Sequence, residues 1–266
     1  MKFKDRIIAI TGASSGIGMQ AAIDFSNNGA KTVILISRNQ TKLIKAKEKL
    51  NPKCNVEIYS CDISNRKMVY ETSENILKNI GPIDILVNNA GIGIYGKVID
   101  QTIDDIERIT ATNYLGMIYW TKMFLPFMIK KNQGHIVNVA SLAASFGIPC
   151  MAAYCGSKFA MLGFSESLYH ELKNTQVGIT VVSPIAVNTN FFDNESFRGK
   201  MPHKLGYVLD PKTVSKAILK AASSKRLEIV VPFFVRSAVW LKHTFPYLIN
   251  PIVSSSFKDV NQLESK

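Results

Sequence analysis

The stretch Ile7-Ile8-Ala9-Ile10-Thr11-Gly12-Ala13-Ser14-Ser15-Gly16-Ile17-Gly18 decides how this 266-residue chain is read. A short apolar run of strand length passes directly into a glycine-rich turn, and the turn passes into a segment of helical spacing, Gly16–Asn28, that stops at Gly29. In that context glycines let the backbone approach a pyrophosphate held at a helix N-terminus. The spacing is G-x-x-x-G-x-G, not the commoner G-x-G-x-x-G. Gly12 to Gly16 also fit G-x-S-x-G, the nucleophile elbow of serine hydrolases, but an elbow needs upstream strands and an oxyanion loop. With eleven residues ahead of Gly12, that second reading is not expected.

Outward from the turn, apolar runs recur at Ile7–Thr11, Thr32–Ser37, Val56–Ser60, Ile83–Asn88, His135–Ala140, Ile179–Ser183 and Glu228–Val231. Longer helical stretches separate them: Ser64–Asn79, begun by a capping Ser and ended at Gly81-Pro82; Ile103–Lys131, ended before Gly134; and Met151–Lys173. Runs that are nearly continuous and not alternating belong to strands buried on both faces, so a parallel α/β sheet wound by right-handed crossovers is predicted. No repeat or linker divides the chain before Pro232. One domain over residues 1–232 and an apolar extension over 233–266 are expected.

At the end of the second strand a dinucleotide site usually carries an acid for the ribose hydroxyls of NAD. Here Ser37-Arg38 stand in its place. Nothing repels a 2′-phosphate there and a guanidinium is available to grip it, so NADP(H) is the expected cofactor.

Bulk properties agree with an ordinary globular enzyme: 47% hydrophobic and 20% charged residues. The net charge of +12 allows nucleic acid, an anionic membrane or an anionic substrate as partner. The basic residues are scattered, and the densest group (Lys42, Lys45, Lys47, Lys49, Lys53) reads as the solvated face of a helix whose Leu43, Ala46 and Leu50 turn inward. No nucleic-acid module is recognisable, and no nucleic-acid partner is expected. Cys54, Cys61, Cys150 and Cys155 form no C-x-x-C pair, so no metal site is expected and the thiols should be free. No signal-peptide core or spanning segment is evident, which makes a cytoplasmic location the expectation.

Taken together, T-G-A-S-S-G-I-G, Cys61-Asp62-Ile63, Asn88-Asn89-Ala90-Gly91, Asn113, Ser141 and Tyr154-x-x-x-Lys158 resemble the short-chain dehydrogenase/reductase family, over about Lys4 to Val231. The resemblance implies a single Rossmann-like, doubly wound parallel sheet of about seven strands in the order 3-2-1-4-5-6-7. It further implies that Tyr154 is the proton donor or acceptor, Lys158 its charge partner and a ligand of the nicotinamide ribose, Ser141 the holder of the substrate oxygen and Asn113 the holder of a relay water. By the same resemblance Gly12, Ser14, Ser15, Gly16, Ile17 and Gly18 form the phosphate turn, Asp62 with Cys61 and Ile63 meets the adenine, and Asn89, Ala90 and Gly91 line the cofactor. Pro184, Val187 and Thr189 resemble the segment at the nicotinamide, although Ile185 replaces its usual Gly. A homodimer or homotetramer through the two long helices is also implied. With all four catalytic positions present, a catalytically silent NADP-binding sensor is the less favoured alternative.

Tyr154 and Lys158 lie one helical turn apart, so an ammonium on the same face is expected to favour the phenolate and lower the tyrosine pKa. Phe191, Phe192, Phe197, Met201 and Leu205 suggest an apolar lid, hence a small-molecule carbonyl or alcohol substrate with a lipid-like body: a 3-oxoacyl compound, a steroid-like ring system or an aliphatic ketone. After Pro232, Phe233 to Val253 is strongly apolar but interrupted by Arg236, Lys242, Pro246 and Pro251. This suits a short helix lying at a membrane surface or covering the substrate entrance, or else a subunit contact.

Overall fold

A computed structural model describes residues 2–198 and 207–256. Met201, Leu205 and the end of the expected extension lie outside the described residues. The strands are β1 (Ile7–Thr11), β2 (Thr32–Ser37), β3 (Asn55–Ser60), β4 (Ile85–Asn88), β5 (Gly134–Val139), β6 (Val177–Pro184) and β7 (Glu228–Val231). They form one parallel sheet in the order β3-β2-β1-β4-β5-β6-β7, as expected.

The lack of alternation in the strands has a simple cause, since each face of the sheet carries its own core. Ile8, Ile10, Val33 and Leu35 pack on one side with α1 (Gly16–Asn27), α2 (Gln40–Lys47) and α7 (Pro211–Ala221), through Phe25, Leu43 and Ile218. Ala9, Ile34, Ile36 and Leu86 pack on the other with α3 (Arg66–Asn79), α5 (Gly116–Lys131) and α6 (Ala152–Glu171), through Ile76, Trp120, Phe124 and Leu168. Burial on both faces therefore requires apolar residues at consecutive positions.

Four helix starts, those of α2, α3, α4 (Ile103–Thr110) and α7, are secured by a side chain that accepts a first-turn N–H. Asn39 accepts from Lys42 N at 2.8 Å for α2, and Asp210 from Lys212 N at 2.7 Å for α7. The cap of α3 is Asn65, which accepts from Met68 N at 3.1 Å. Ser64, the expected cap, instead donates its hydroxyl to Asp62 Oδ1 at 2.7 Å. α1 differs: Ser15 is extended and makes no side-chain cap, and the first turn contains no acid.

The expected single helix over Ile103–Lys131 is interrupted. It runs as α4 (Ile103–Thr110), then a π-helical turn over Ala111–Leu115, then α5. At the opposite sheet edge from the glycine turn, Asp84 accepts from Ile7 N at 2.9 Å and pairs with Lys131 at 2.8 Å and Arg6 at 3.3 Å. Burial pushes the Asp84 carboxyl up, but these partners outweigh it and hold the group below its usual value. Past β7, α8 (Val235–Thr244) and α9 (Pro246–Ser256) form the extension, with Trp240 and Phe245 in edge contact at 6.5 Å. Among the described residues no helix is long and apolar enough to cross a membrane.

Candidate active site

In a parallel sheet the loops after the strands' C-terminal ends converge on one edge, and there a cleft of about 840 Å³ opens. It is lined by Gly12, Ser14, Ser15, Gly16 and Ile17 after β1, Ser37 and Arg38 after β2, Cys61, Asp62 and Ile63 after β3, and Asn89, Ala90 and Gly91 after β4. Ser141 after β5, Tyr154 and Lys158 from α6, and Pro184, Val187 and Thr189 after β6 complete the line of sequence-predicted residues. Gly18 and Asn113 are buried behind the lining.

Gly12 and Gly18 are explained by close approach. Gly12 is left-handed at φ +66°, and a Cβ on it would stand 2.8 Å from Ala90 Cα. A Cβ on Gly18 would run into the carbonyl of Gly12 and the side chain of Asn89. The turns after β1 and β4 are bolted together here. Thr11 Oγ1 accepts from Asn89 N at 3.0 Å and Ala90 N at 3.1 Å, while Asn89 Nδ2 donates to Thr11 O at 3.0 Å. This leaves the start of α1, with no acid in its first turn and no side-chain cap, at the cleft wall. Such a surface fits the pyrophosphate of a dinucleotide, because unpaired N–H groups and the helix dipole both favour an anion.

Arg38 stands exposed on the rim just before α2, and Lys42, in the first turn of α2, joins the lining. Sequence reasoning had placed Lys42 only on a solvated face. Its signal was its place in the first turn of the helix that follows Arg38. Asp62 does not point its carboxylate freely into the cleft, since Oδ1 accepts from both the amide (3.0 Å) and the hydroxyl (2.7 Å) of Ser64.

At the other end, Tyr154 is half-buried with its ring 5.4 Å from that of Phe191. Burial raises its phenol to about 12, against a smaller lowering effect from its hydrogen bond with Ser141. Lys158 is 3% exposed; its Nζ donates to Val139 O at 3.0 Å and contacts Met161 Sδ at 3.4 Å. Burial lowers it to about 7. The expectation that the ammonium depresses the tyrosine is therefore corrected. Nζ lies 5.7 Å from the ring centroid, and burial dominates the shift of each group.

The π turn carries Asn113. A wider turn places an inserted residue where an α-helix has none, and such turns recur at functional sites. Asn113 Oδ1 accepts from Ile92 N at 2.8 Å, and Nδ2 donates to Ile92 O at 3.0 Å and Ser157 Oγ at 3.0 Å. The side chain thus clamps the loop after β4, where a Cβ on Gly91 would be 3.2 Å from Asn113 Oδ1 and 3.6 Å from Lys158 Nζ. Ile185, in place of the expected Gly, is accommodated without left-handed backbone: its N–H donates to Val231 O at 3.0 Å, and Val187 bridges Leu209 beyond it.

Beside Tyr154, Phe191, Phe192 and Phe197 meet in edge-to-face or tilted contact at 5.0–5.9 Å, with Tyr95 5.9 Å from Phe197. Gly93 makes the room, because a Cβ there would lie 2.5 Å from Phe191 Cζ. Phe146, Ile148, Met151, Phe234, Val235 and Val253 also line the cleft. The last three show that the extension folds back over the opening.

A family model described as short chain dehydrogenase matches residues 6–198. Epidermal retinol dehydrogenase 2 of Mus musculus is 34% identical over 244 residues, covering 90% of this chain and 78% of its own. Estradiol 17-beta-dehydrogenase 11 of Homo sapiens is 36% identical over 246 residues, covering 90% and 79%. A solved short chain dehydrogenase/reductase from Burkholderia phymatum, in complex with NAD, superposes with a TM-score of 0.83 at 26% identity, covering 93% of this chain and 96% of that one. Other solved neighbours hold NADP. With the family model, the relatives and the sheet order in agreement, this chain belongs to the short-chain dehydrogenase/reductase family.

Proposed function

We propose that the protein reduces a carbonyl, or oxidises the corresponding secondary alcohol, of a largely apolar substrate with NADP(H). The observation that carries this reading is the joining, at one end of the cleft, of the Tyr154 phenol, the Ser141 hydroxyl and the buried Lys158 with the aromatic wall of Phe191, Phe192 and Phe197. A bound nicotinamide dinucleotide supplies or takes up the hydride.

The chain's own residues manage the proton and the charge. With a pKa of about 12, Tyr154 carries its proton at neutral pH and is fit to donate it to an oxygen becoming negative. Ser141 Oγ, bonded to Tyr154, holds the same oxygen in place. Lys158, in its protonated form, offsets the phenolate left on Tyr154 after donation. Asn113 keeps Ile92 and Gly91 fixed beside Lys158. General acid–base groups of this kind contribute about 10²–10⁴-fold.

The preference for NADP(H) rests on Arg38 and Lys42 at the rim and on the absence of a carboxylate at positions 37 and 38. An apolar substrate is supported by the aromatic wall and by two relatives whose names specify retinol and estradiol. The test is a panel of carbonyl compounds, graded by chain length and ring content, assayed with NADPH and NADH. Turnover should rise with apolar bulk and favour NADPH. A profile confined to small polar carbonyls, or a preference for NADH, would overturn the corresponding half of the reading.

A further inference from the structure

The extension presents an unusual surface. Phe233 is 70% exposed, Trp240 61%, Tyr247 91% and Leu248 68%, and no residue of α8 is buried. Apolar groups gathered in this way on two consecutive helices mark an interaction site. Between Pro232 and Ser256 the only basic side chains are Arg236, Lys242 and His243; there is no Asp or Glu.

From this geometry we propose that α8 and α9 dock on an anionic lipid surface and turn the mouth of the cleft toward it. Charge selects this occupant over a second copy of the chain. A two-fold contact uses the same patch on both partners, and that patch has no Asp or Glu to meet the exposed Arg236, whereas acidic headgroups complement it. The aromatic character of the segment matches the interfacial preference of Trp and Tyr. α8 has 10 residues and α9 has 11, against the roughly 20 needed to span a bilayer, so they lie along the surface and do not cross it.

The patch is continuous with the site. Phe234, Val235 and Val253 line the cleft while neighbouring side chains face outward. Lys242 Nζ sits 6.0 Å over Phe146, itself a cleft residue, and 5.6 Å over Phe159, which fixes α8 to the cleft wall. Resting on the reading of an apolar substrate given above, this arrangement lets such a substrate pass from the lipid into the cleft without crossing water.

The full chain is to be mixed with vesicles of pure phosphatidylcholine or with vesicles that also contain phosphatidylglycerol, and its recovery in the lipid fraction measured. Binding to the anionic vesicles should exceed binding to the neutral ones about tenfold or more, and W240S/Y247S/L248S should lose about the same factor, with unchanged circular dichroism and unchanged mass on gel filtration. R236E should erode the preference for anionic vesicles. A full chain that stays in the supernatant with both vesicles overturns the proposal. So does a triple variant whose mass changes while its vesicle recovery does not, which would assign the patch to a second copy. No substrate or dinucleotide is present in these mixtures. Turnover measured separately in detergent-free buffer therefore fails or holds independently of the docking result.

Discussion

Replacing Arg38 with Ala is the sharpest test of how the cofactor is chosen. Arg38 is exposed at the rim and Lys42, in the first turn of α2, lines the same cleft, so the 2′-phosphate would meet two cations that water screens in part. Hydrogen bonds to charged groups contribute about 1.5–3 kcal/mol, which for a guanidinium–phosphate pair corresponds to about 10- to 150-fold in affinity. Exposure places the expected loss of NADPH affinity toward the lower end, and the remaining charge of Lys42 limits it further, so Arg38→Ala with Lys42→Ala should lose more. NADH lacks the phosphate and should change by less than about threefold. Calorimetric titration with both dinucleotides at low and high salt gives all four numbers, and salt should narrow the wild-type preference. The reasoning is refuted if the wild type binds both dinucleotides equally, or if the variant loses both by the same factor.

Gly93→Ala inserts a methyl 2.5 Å from Phe191 Cζ, so Phe191 must shift beside Tyr154. Because overpacking costs about 1–3 kcal/mol, KM for bulky carbonyls should rise by up to roughly 5- to 150-fold while dinucleotide affinity holds, as steady-state kinetics and titration would reveal. His135 supplies a pH dependence: it is buried with its value lowered to about 4 from 6.5, and Nε2 meets Thr180 Oγ1 at 3.0 Å. The Thr180 hydroxyl donates to Arg226 O, so the proton of the neutral imidazole sits on Nε2. The unfolded chain binds the extra proton between pH 6.5 and 4, so stability falls as pH drops through that window. The shift corresponds to about 3 kcal/mol, and denaturant unfolding of His135→Gln should show a correspondingly shallower decline than the wild type.

Much of this architecture was legible because its signals are local. Residues buried on both sheet faces must be apolar in succession, and Gly12 and Gly18 mark backbone that approaches its neighbour too closely for a Cβ. Tyr154, Lys158 and Ser141 were assigned to one site on spacing and resemblance, and all three line the cleft. What depends on three-dimensional surroundings was not legible. Nothing in the run from Ile103 to Lys131 announces the π turn at Asn113, since its stabilising bonds come from Ile92 and Ser157 on other segments. The opposed shifts of Tyr154 and Lys158 come from burial, which helical spacing does not report. Phe234 and Val253 become cleft residues only because α8 and α9 turn back across the opening.

The central claim is that Tyr154 is the proton donor to a carbonyl oxygen in a dinucleotide-dependent reduction. Tyr154→Phe keeps the ring beside Phe191 and removes only the hydroxyl bonded to Ser141. Turnover of the best carbonyl substrate, followed by loss of NADPH absorbance, should fall by about 10²–10⁴-fold while NADPH affinity stays within about threefold of wild type. A Tyr154→Phe protein that turns over at near wild-type rate would contradict the account.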